Sequence, residues 1–128
     1  MQDIQKLRFA KSHEWIAPDG TVGITDHAQK EVTDVVFVEL PSIGKSAVKD
    51  GEVATLESVK AAFPINAPVA GKVSAVNDKV SKNPELVNQA PYGDGWLFKL
   101  DVTEAGSLNK LMTHDQYQEF LKTDAAHH

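Results

Sequence analysis

One lysine of the chain stands in a setting that suits covalent chemistry. Lys60 lies in the segment Glu57–Ala62, which follows a candidate strand and precedes Pro64, Pro68 and Gly71. A lysine at the tip of a tight hairpin presents an accessible nucleophilic amine, and the turn sets it apart from the other lysines. The short sequence Val-Lys-Ala alone predicts only a hairpin tip with an exposed lysine. The meaning of the segment therefore depends on the elements around it.

The direction of the Lys60 side chain depends on this turn. Strict alternation along a strand places Lys60 on the same face as Leu56 and Ser58. A tight turn breaks that alternation, so the register of the hairpin decides where the amine points.

The other residues with chemical potential predict no self-contained catalytic site. Gly44–Ser46 imitates the end of a phosphate-binding loop, but Glu39 replaces the first glycine of that motif. The internal histidines lack the i, i+4 helical spacing of a zinc pair. Ser12–Glu14 contains the residue types of a catalytic triad, but neighbours along a strand point to opposite faces. We therefore expect neither a catalytic residue nor a bound metal.

Composition excludes several classes of function. The chain has 128 residues, 41% hydrophobic and 24% charged, which is typical of one soluble domain, here expected over residues 1–128. It contains no cysteine, which excludes disulfides and thiolate metal sites. Thirteen Lys and Arg against eighteen Asp and Glu give a net charge of −5, so nucleic acid and acidic membranes are not expected partners. No apolar stretch approaches the roughly 18 residues of a membrane span.

Short apolar runs broken by Gly, Pro, Asn and Asp predict a mainly β domain, with a β core over about residues 7–102. The candidate strands are Leu7–Ala10, Glu14–Ala17, Thr21–Ile24, Val35–Leu40, Val53–Glu57, Val69–Val76 and Trp96–Asp101. Pro18–Gly20 is a strong turn signal between two of them. Alternation of Trp96, Phe98 and Leu100 predicts that the last strand buries one aromatic face under helices.

Helices are predicted in two regions. Asp26–Thr33 follows Thr25 as an N-cap, although no glycine supplies the usual C-cap. Residues 104–122 show the i, i+3, i+4 spacing of short amphipathic helices. Thr113–Gln116 reads as a capping box, which predicts a helix from about His114 to Lys122. The tail 123–128 is interpreted as partly a tag.

Several segments together resemble one family. Glu57–Ala61, with its Pro- and Gly-containing return strand, resembles the lipoyl-attachment motif of glycine cleavage system H proteins. Further blocks resemble this family in its own order between about Leu7 and Leu121: Ser12–Trp15, Val22–Gln29, Val35–Pro41, Pro84–Asn88 and Pro91–Trp96. The resemblance implies a barrel-sandwich hybrid of the biotinyl/lipoyl-carrier type, which has two similar β halves. Gly44–Val53 and Gly71–Val80, which are weakly alike, fit such halves.

The resemblance also implies a function. A lipoyl-transfer enzyme would attach lipoic acid to Lys60, with Glu57 as its recognition residue. The chain would be a monomeric, non-catalytic carrier. It would shuttle an aminomethyl group from a pyridoxal-phosphate glycine decarboxylase to a tetrahydrofolate-dependent aminomethyltransferase, and reducing equivalents to dihydrolipoamide dehydrogenase. Ser12 and Glu14 match positions where the loaded arm docks. The ending Asp124–His127 resembles mature plant mitochondrial H proteins, which favours the mitochondrial matrix for a eukaryotic source; otherwise a cytoplasmic location is expected.

Three departures from the family pattern stand out. After the Lys-Ala pair the family usually has a small residue, Ser and Asp, whereas this chain has Ala62–Pro64, so the carboxylate is missing. The first helix usually ends in Leu-Gly, but here it ends in Val32–Thr33. Gly51 lies one residue closer to the lysine than expected, which predicts weaker recognition by the lipoylating enzyme.

Pro64 lacks an N–H and predicts that the return strand is an edge strand.

Other carriers and one non-carrier remain as alternatives. A biotin carrier usually has Met on both sides of the lysine, where this chain has Val59 and Ala61. A lipoyl domain of a 2-oxo-acid dehydrogenase typically reads Asp-Lys-Ala and is tethered by a Pro/Ala-rich linker, and this chain has neither. An H-like protein that serves lipoyl relay or sulfur metabolism fits the same residues. An unmodified β domain that acts as an interaction module is the alternative from a different class.

Overall fold

Two antiparallel sheets form the β core in a computed structural model, which describes residues 3–123. The strands in chain order are β1 Arg8–Phe9, β2 Glu14–Ile16, β3 Thr21–Ile24, β4 Val35–Glu39, β5 Ser46–Ala47, β6 Glu52–Ser58, β7 Ala62–Asn66, β8 Gly71–Val76 and β9 Phe98–Val102. The six-stranded sheet has the order β1-β2-β3-β9-β8-β5, and the three-stranded sheet has the order β4-β6-β7. Strand β7 is an edge strand, as the proline at position 64 predicts.

Both sheets contribute to one hydrophobic core. Val22 and Phe98 from the larger sheet and Val38 and Leu56 from the smaller one belong to the same cluster, and each is at most 3% exposed. The alternation of strand residues supplies these inward positions. Strands β5 and β8, which lie in the two weakly similar segments, pair with each other through Ser46 and Lys72. The mainly β architecture predicted from the sequence is confirmed.

Four α-helices flank the sheets within the described residues: α1 Asp26–Val32, α2 Asp78–Lys82, α3 Leu86–Gln89 and α4 His114–Leu121. Short 3-10 helices cover Ile4–Lys6 and Ala105–Lys110. Thr25 caps α1 by accepting a hydrogen bond from the N–H of Ala28, and the predicted capping box of Thr113 and Gln116 is present at α4. None of the helices described in residues 3–123 is both long and apolar enough to cross a membrane.

Helix α4 covers a second apolar cluster. Tyr117 is buried there with Trp15, and its hydroxyl lies 2.8 Å from both His13 Nδ1 and Thr25 Oγ1. This burial raises the pKa of the Tyr117 hydroxyl. Because Thr25 is the N-cap of α1, these contacts join the C-terminal helix to the start of α1.

Three details differ from the sequence-based expectation. Trp96 does not share one buried face with Phe98 and Leu100: it is half-buried against the cluster under α4, whereas the other two lie in the main core. The strand begins at Phe98 rather than Trp96, so strict alternation does not extend over the earlier residues. Strand β5 and helices α2 and α3 were not predicted, and the proposed tail lies mostly outside the described residues.

The connection between α1 and β4 is held by one side chain. Helix α1 ends at Val32, and Thr33 follows with φ 66° and ψ −154°. The side-chain amide of Asn88 on α3 donates to the Thr33 carbonyl at 2.7 Å and accepts from the Val35 N–H at 2.9 Å. The Asn88 amide therefore bridges both sides of the turn that starts β4.

We expect Thr33→Gly to stabilise the fold. Only glycine adopts this backbone region without strain, and a non-glycine residue there costs about 1–3 kcal/mol. Glycine loses part of that gain through the entropy of the unfolded chain, so the free energy of unfolding should rise by about 1 kcal/mol in urea titrations. Thr33→Ala is the matched control because it removes the hydroxyl but keeps the strained Cβ. Equal stability of the Gly and Ala variants would contradict this account of the turn.

Candidate functional site

Lys60 lies at the tip of the β6–β7 hairpin. Both Val59 and Lys60 are exposed. The hydroxyl of Ser58 closes the tip, because it accepts hydrogen bonds from the N–H groups of Lys60 and Ala61 at 3.2 and 3.3 Å. The N–H of Ser58 donates to the Ala61 carbonyl at 2.8 Å. A serine that accepts from residues two and three positions ahead is a common way of fixing a turn. The hydroxyl of Ser58 thus shapes the backbone that carries the amine.

A second anchor comes from outside the hairpin. The Val59 N–H donates to the Asp34 carbonyl at 3.3 Å, and Asp34 lies in the connection that Asn88 holds. Through these bonds α3 fixes the α1–β4 turn, and the turn fixes the tip. The Asp34 contact was not predictable from the sequence, because it joins a loop carbonyl to a backbone N–H.

The start of β6 explains the shifted glycine. Asp50, one residue before Gly51, has φ 64°. Asp tolerates this left-handed conformation better than most residues, so it makes the turn at the position where the family pattern predicts glycine. The pairing with β7 is irregular between Glu52 and Ala54, where the register shifts. Asp50 therefore supplies the left-handed residue of the turn that precedes β6.

Glu57 lies close to the tip on the solvent face of the small sheet. It is exposed and directly opposite Phe37 on β4 and Ala62 on β7. Residues opposite each other in an antiparallel pair share a face, so these three side chains form a row beside the tip. Lys60 points elsewhere: its Nζ lies 5.9 Å from the centre of the Phe63 ring, within the range of a cation–π contact.

Ser12 and Glu14 meet at the other end of β7. Glu14 is 2% exposed, and its carboxylate accepts hydrogen bonds from the Ser12 hydroxyl and, at 3.2 Å, from the Asn66 N–H. Burial raises the pKa of Glu14 to about 7, although the hydrogen bonds from Ser12 and Asn66 lower it. Asn66 ends the return strand of the hairpin, so this carboxyl group joins the two sheets.

A narrow cleft connects the two predicted sites. The β7–α1 cleft, a cavity of about 90 Å³, is lined on one side by Phe63–Ile65 and on the other by residues of α1, with Ser12 at its end. Ser12 and Asn66 also line a wider groove of about 580 Å³. Phe63 is near the lysine and Ser12 is near Glu14, so the cleft leads from one to the other. Asn66, which is bonded to Glu14, lies six residues after Lys60. Six residues of strand span roughly 20 Å, so Lys60 and Glu14 are not in contact.

All four residues predicted from the sequence belong to this region. Lys60 and Glu57 lie at the tip, while Ser12 lines the cleft and Glu14 lies behind it, bonded to the Ser12 hydroxyl. Phe63 is the residue whose role was least visible, because only the structure shows it both below the amine and in the cleft wall. Within residues 3–123 no group of three or more His, Cys, Asp or Glu side chains is arranged to hold a metal ion.

Comparison with known proteins identifies the family. The model of the family described as Glycine cleavage H-protein matches residues 7–124. The chain belongs to the glycine cleavage H-protein family. A glycine cleavage system H protein of Deinococcus deserti is 59% identical over 101 residues, which cover 79% of this chain and 84% of the relative. Glycine cleavage system H protein 2, mitochondrial, of Arabidopsis thaliana is 45% identical over 128 residues, covering 98% and 82%.

The fold comparison agrees with this assignment. A crystal structure of a glycine cleavage system H protein from Mycobacterium marinum matches with a TM-score of 0.79 and 32% identity, over 91% of this chain and 94% of the other. The predicted lipoyl-carrier type of barrel-sandwich hybrid is therefore confirmed. As a member of this family the protein is a non-catalytic lipoyl carrier of the glycine cleavage system, and it works with the enzymes of that system.

The buried Glu14 predicts a specific pH dependence of stability. Its pKa in the folded protein, about 7, is above the unfolded value of 4.5, so the fold favours the protonated carboxyl group. The contribution of this group to the free energy of unfolding should decrease as pH rises from about 4.5 to about 7, by an amount on the order of 3 kcal/mol.

Glu14→Gln should remove this decrease, so that stability measured by urea titration falls less between pH 4.5 and 8 than in the wild type. Glu52→Gln, at an exposed carboxylate, serves as the control and should follow the wild-type curve. Parallel curves for the wild type and the Glu14 variant would show that this carboxyl group is not held protonated by the fold.

Proposed function

We propose that Lys60 is the residue that carries the lipoyl group. The observation that supports this most strongly is the tip itself: an exposed amine on a turn held by Ser58 and by the Asp34 carbonyl, in a chain of a lipoyl-carrier family. A fixed turn with an exposed side chain allows an enzyme to reach the amine without unfolding the hairpin. Acylation removes the positive charge of the lysine and leaves a long apolar arm, for which the ring of Phe63 is a suitable neighbour.

Four partner enzymes follow from this assignment. A lipoyl-transfer enzyme acylates Lys60 and recognises Glu57, whose exposed carboxylate lies beside the tip. The attached group supplies a reducible disulfide on a flexible arm. A pyridoxal-phosphate glycine decarboxylase, a tetrahydrofolate-dependent aminomethyltransferase and dihydrolipoamide dehydrogenase act in turn on the far end of that arm. The protein's own residues position and protect it.

Ser12 and Glu14 are proposed to hold the loaded arm. An arm that starts at Lys60 and lies along Phe63–Ile65 approaches Ser12 through the β7–α1 cleft. A cationic amine at its end favours the ionised form of Glu14, which burial alone disfavours. The attraction between the cation and the carboxylate therefore offsets the free energy of hydration that the ionised carboxylate loses when the protein folds. In this arrangement the amine is also removed from bulk water.

The same considerations bear on domain, oligomeric state and compartment. The contacts of Tyr117 tie α4 to the β core, which supports one carrier domain, and we propose that it is a monomer. The similarity to a Deinococcus protein supports a cytoplasmic location, and the similarity to a plant mitochondrial protein fits the matrix for a eukaryotic source. The ending that favoured the matrix, Asp124–His127, lies outside the described residues.

Lys60→Arg should abolish glycine decarboxylation that depends on the protein-bound arm, because arginine offers no amine that can be acylated in this way. The melting temperature should stay nearly unchanged, since an exposed side chain usually contributes within about 0.5 kcal/mol. The assay supplies the partner enzymes and measures release of carbon dioxide from glycine. Lys72→Arg, at an exposed lysine of β8, is the matched control and should keep full activity. Full activity of the Lys60 variant would refute the carrier role of this residue.

The residues Phe63 and Pro64 stand where the family usually has Ser and Asp, so polar anchoring of the arm is weaker in this chain. We expect the double variant Phe63→Ser with Pro64→Asp to slow ammonia release from the loaded carrier in the absence of the aminomethyltransferase, because a carboxylate near the arm stabilises its amine. Lipoylation at Lys60 should change little. Identical release rates would mean that these positions play no part in protection of the arm.

A further inference from the structure

Two consecutive apolar side chains lie in solvent next to the hairpin tip. Val36 is 54% exposed and Phe37 is 50% exposed, although both belong to β4. In a regular strand one of two neighbours points into the core, but the pairing of β4 with β6 shifts between Val35 and Phe37. This β-bulge turns both side chains outward, whereas Val35 and Val38 on either side are buried. Bulges of this kind often re-aim side chains near functional sites.

The position of this surface ties it to the lysine. Phe37 lies directly across from Glu57, and the Asp34 carbonyl, just before β4, holds the N–H of Val59 at the tip. Val59 itself is 71% exposed. We call Val36, Phe37 and Val59, together with Glu57, the tip patch. It combines exposed apolar area with a carboxylate beside the hairpin tip that carries Lys60.

Acidic side chains predominate around the tip patch. Asp34, Glu39 and Glu57 are exposed, and none of them is paired with a cation in the ion pairs of residues 3–123. Lys60 is the cation at the tip, and acylation removes its charge. A complementary partner surface therefore has an apolar centre that receives Phe37 and Val36, with a basic residue that faces Glu57.

Geometry selects one kind of partner for this surface. An enzyme that acylates Nζ of Lys60 must bring its active centre to the tip and therefore contacts the backbone and side chains around it. Enzymes that act on the far end of the attached arm can remain an arm's length away. We propose that the tip patch is the docking surface for the enzyme that acylates Lys60, with Val36 and Phe37 as its apolar anchors. This inference rests on the proposed lipoylation of Lys60.

The test compares lipoylation of apo variants by a lipoyl-transfer enzyme supplied with lipoate and ATP, followed by intact mass. For the double variant Val36→Ser with Phe37→Ala, KM for the carrier should rise by about tenfold or more, because truncation of buried interface anchors has effects of this size. The kcat should stay within about twofold, since Ser58 and the Asp34 carbonyl still position the amine. Glu57→Gln should raise KM and reduce its dependence on salt.

The control is Ile43→Ser. Ile43 is 67% exposed, so it offers a comparable apolar side chain, but it follows β4 at the end away from the tip. Its KM should equal that of the wild type. Acetylation of Lys60 by a small reagent, measured by peptide mapping, should proceed at the same rate in all variants and thereby show that the tip is intact. The single variants Val36→Ser and Phe37→Ala replace the double variant if its melting temperature falls.

Each contrary result has a separate meaning. Absence of lipoylation in the wild type would overturn the proposed function, and with it this inference. Normal lipoylation of the wild type with an unchanged KM in the double variant would overturn the docking surface alone. Slower chemical acetylation of Lys60 in the double variant would also overturn the docking surface, because the substitutions would then have altered the hairpin tip itself. Normal transfer combined with slower turnover by dihydrolipoamide dehydrogenase would assign the patch to that enzyme and overturn our inference.

Discussion

The site depends on a hairpin tip whose backbone is held from two sides. The hydroxyl of Ser58 accepts from two N–H groups within the tip, and the Asp34 carbonyl accepts the Val59 N–H from outside. A carrier needs an arm that moves freely on an attachment point that does not. These few hydrogen bonds fix the turn, while the side chain of Lys60 is exposed. Asn88, which is distant in sequence, contributes by fixing the connection that presents Asp34.

The far end of the cleft follows a different principle. At the tip Glu57, Val59 and Lys60 are exposed, whereas Glu14 is buried. Within residues 3–123 the Glu14 carboxylate accepts hydrogen bonds from the Ser12 hydroxyl and the Asn66 N–H. A carboxyl group with a pKa of about 7 is poised between its neutral and ionised forms at physiological pH. In the proposed function, a cation brought to Glu14 by the arm shifts this balance towards the ionised form. The proposed attachment site is thus exposed and the proposed docking site is buried, and β7 links the two.

The sequence predicted the parts of this arrangement that are local. The capping box at Thr113 and the turn at Pro18–Gly20 were correctly predicted because neighbouring residues determine them. Helix α3 was missed because its N-cap, Glu85, makes no side-chain capping bond and the helix has only four residues. Strand β5, with two residues, is too short to show a period.

The site shows the same division between local and long-range features. The resemblance of short motifs to a family pointed to Lys60, Glu57, Ser12 and Glu14, and the structure brings the last two into direct contact. The cleft, the bulge in β4 and the anchor at Asp34 were not predictable, since they arise from contacts between segments far apart in sequence. Two turns use a non-glycine residue where the family pattern has glycine. Thr33 and Asp50 both adopt positive φ angles at these turns. Non-glycine residues therefore take the positive φ at both turns of this chain.

The account as a whole depends on one amine being the attachment point. The most direct measurement is peptide mapping by mass spectrometry after the apo protein has been incubated with a lipoyl-transfer enzyme. We predict the mass of one lipoyl group on the peptide that contains Lys60, and none on any other lysine. A lipoyl group on Lys45 or Lys72, or on no lysine at all, would contradict the account.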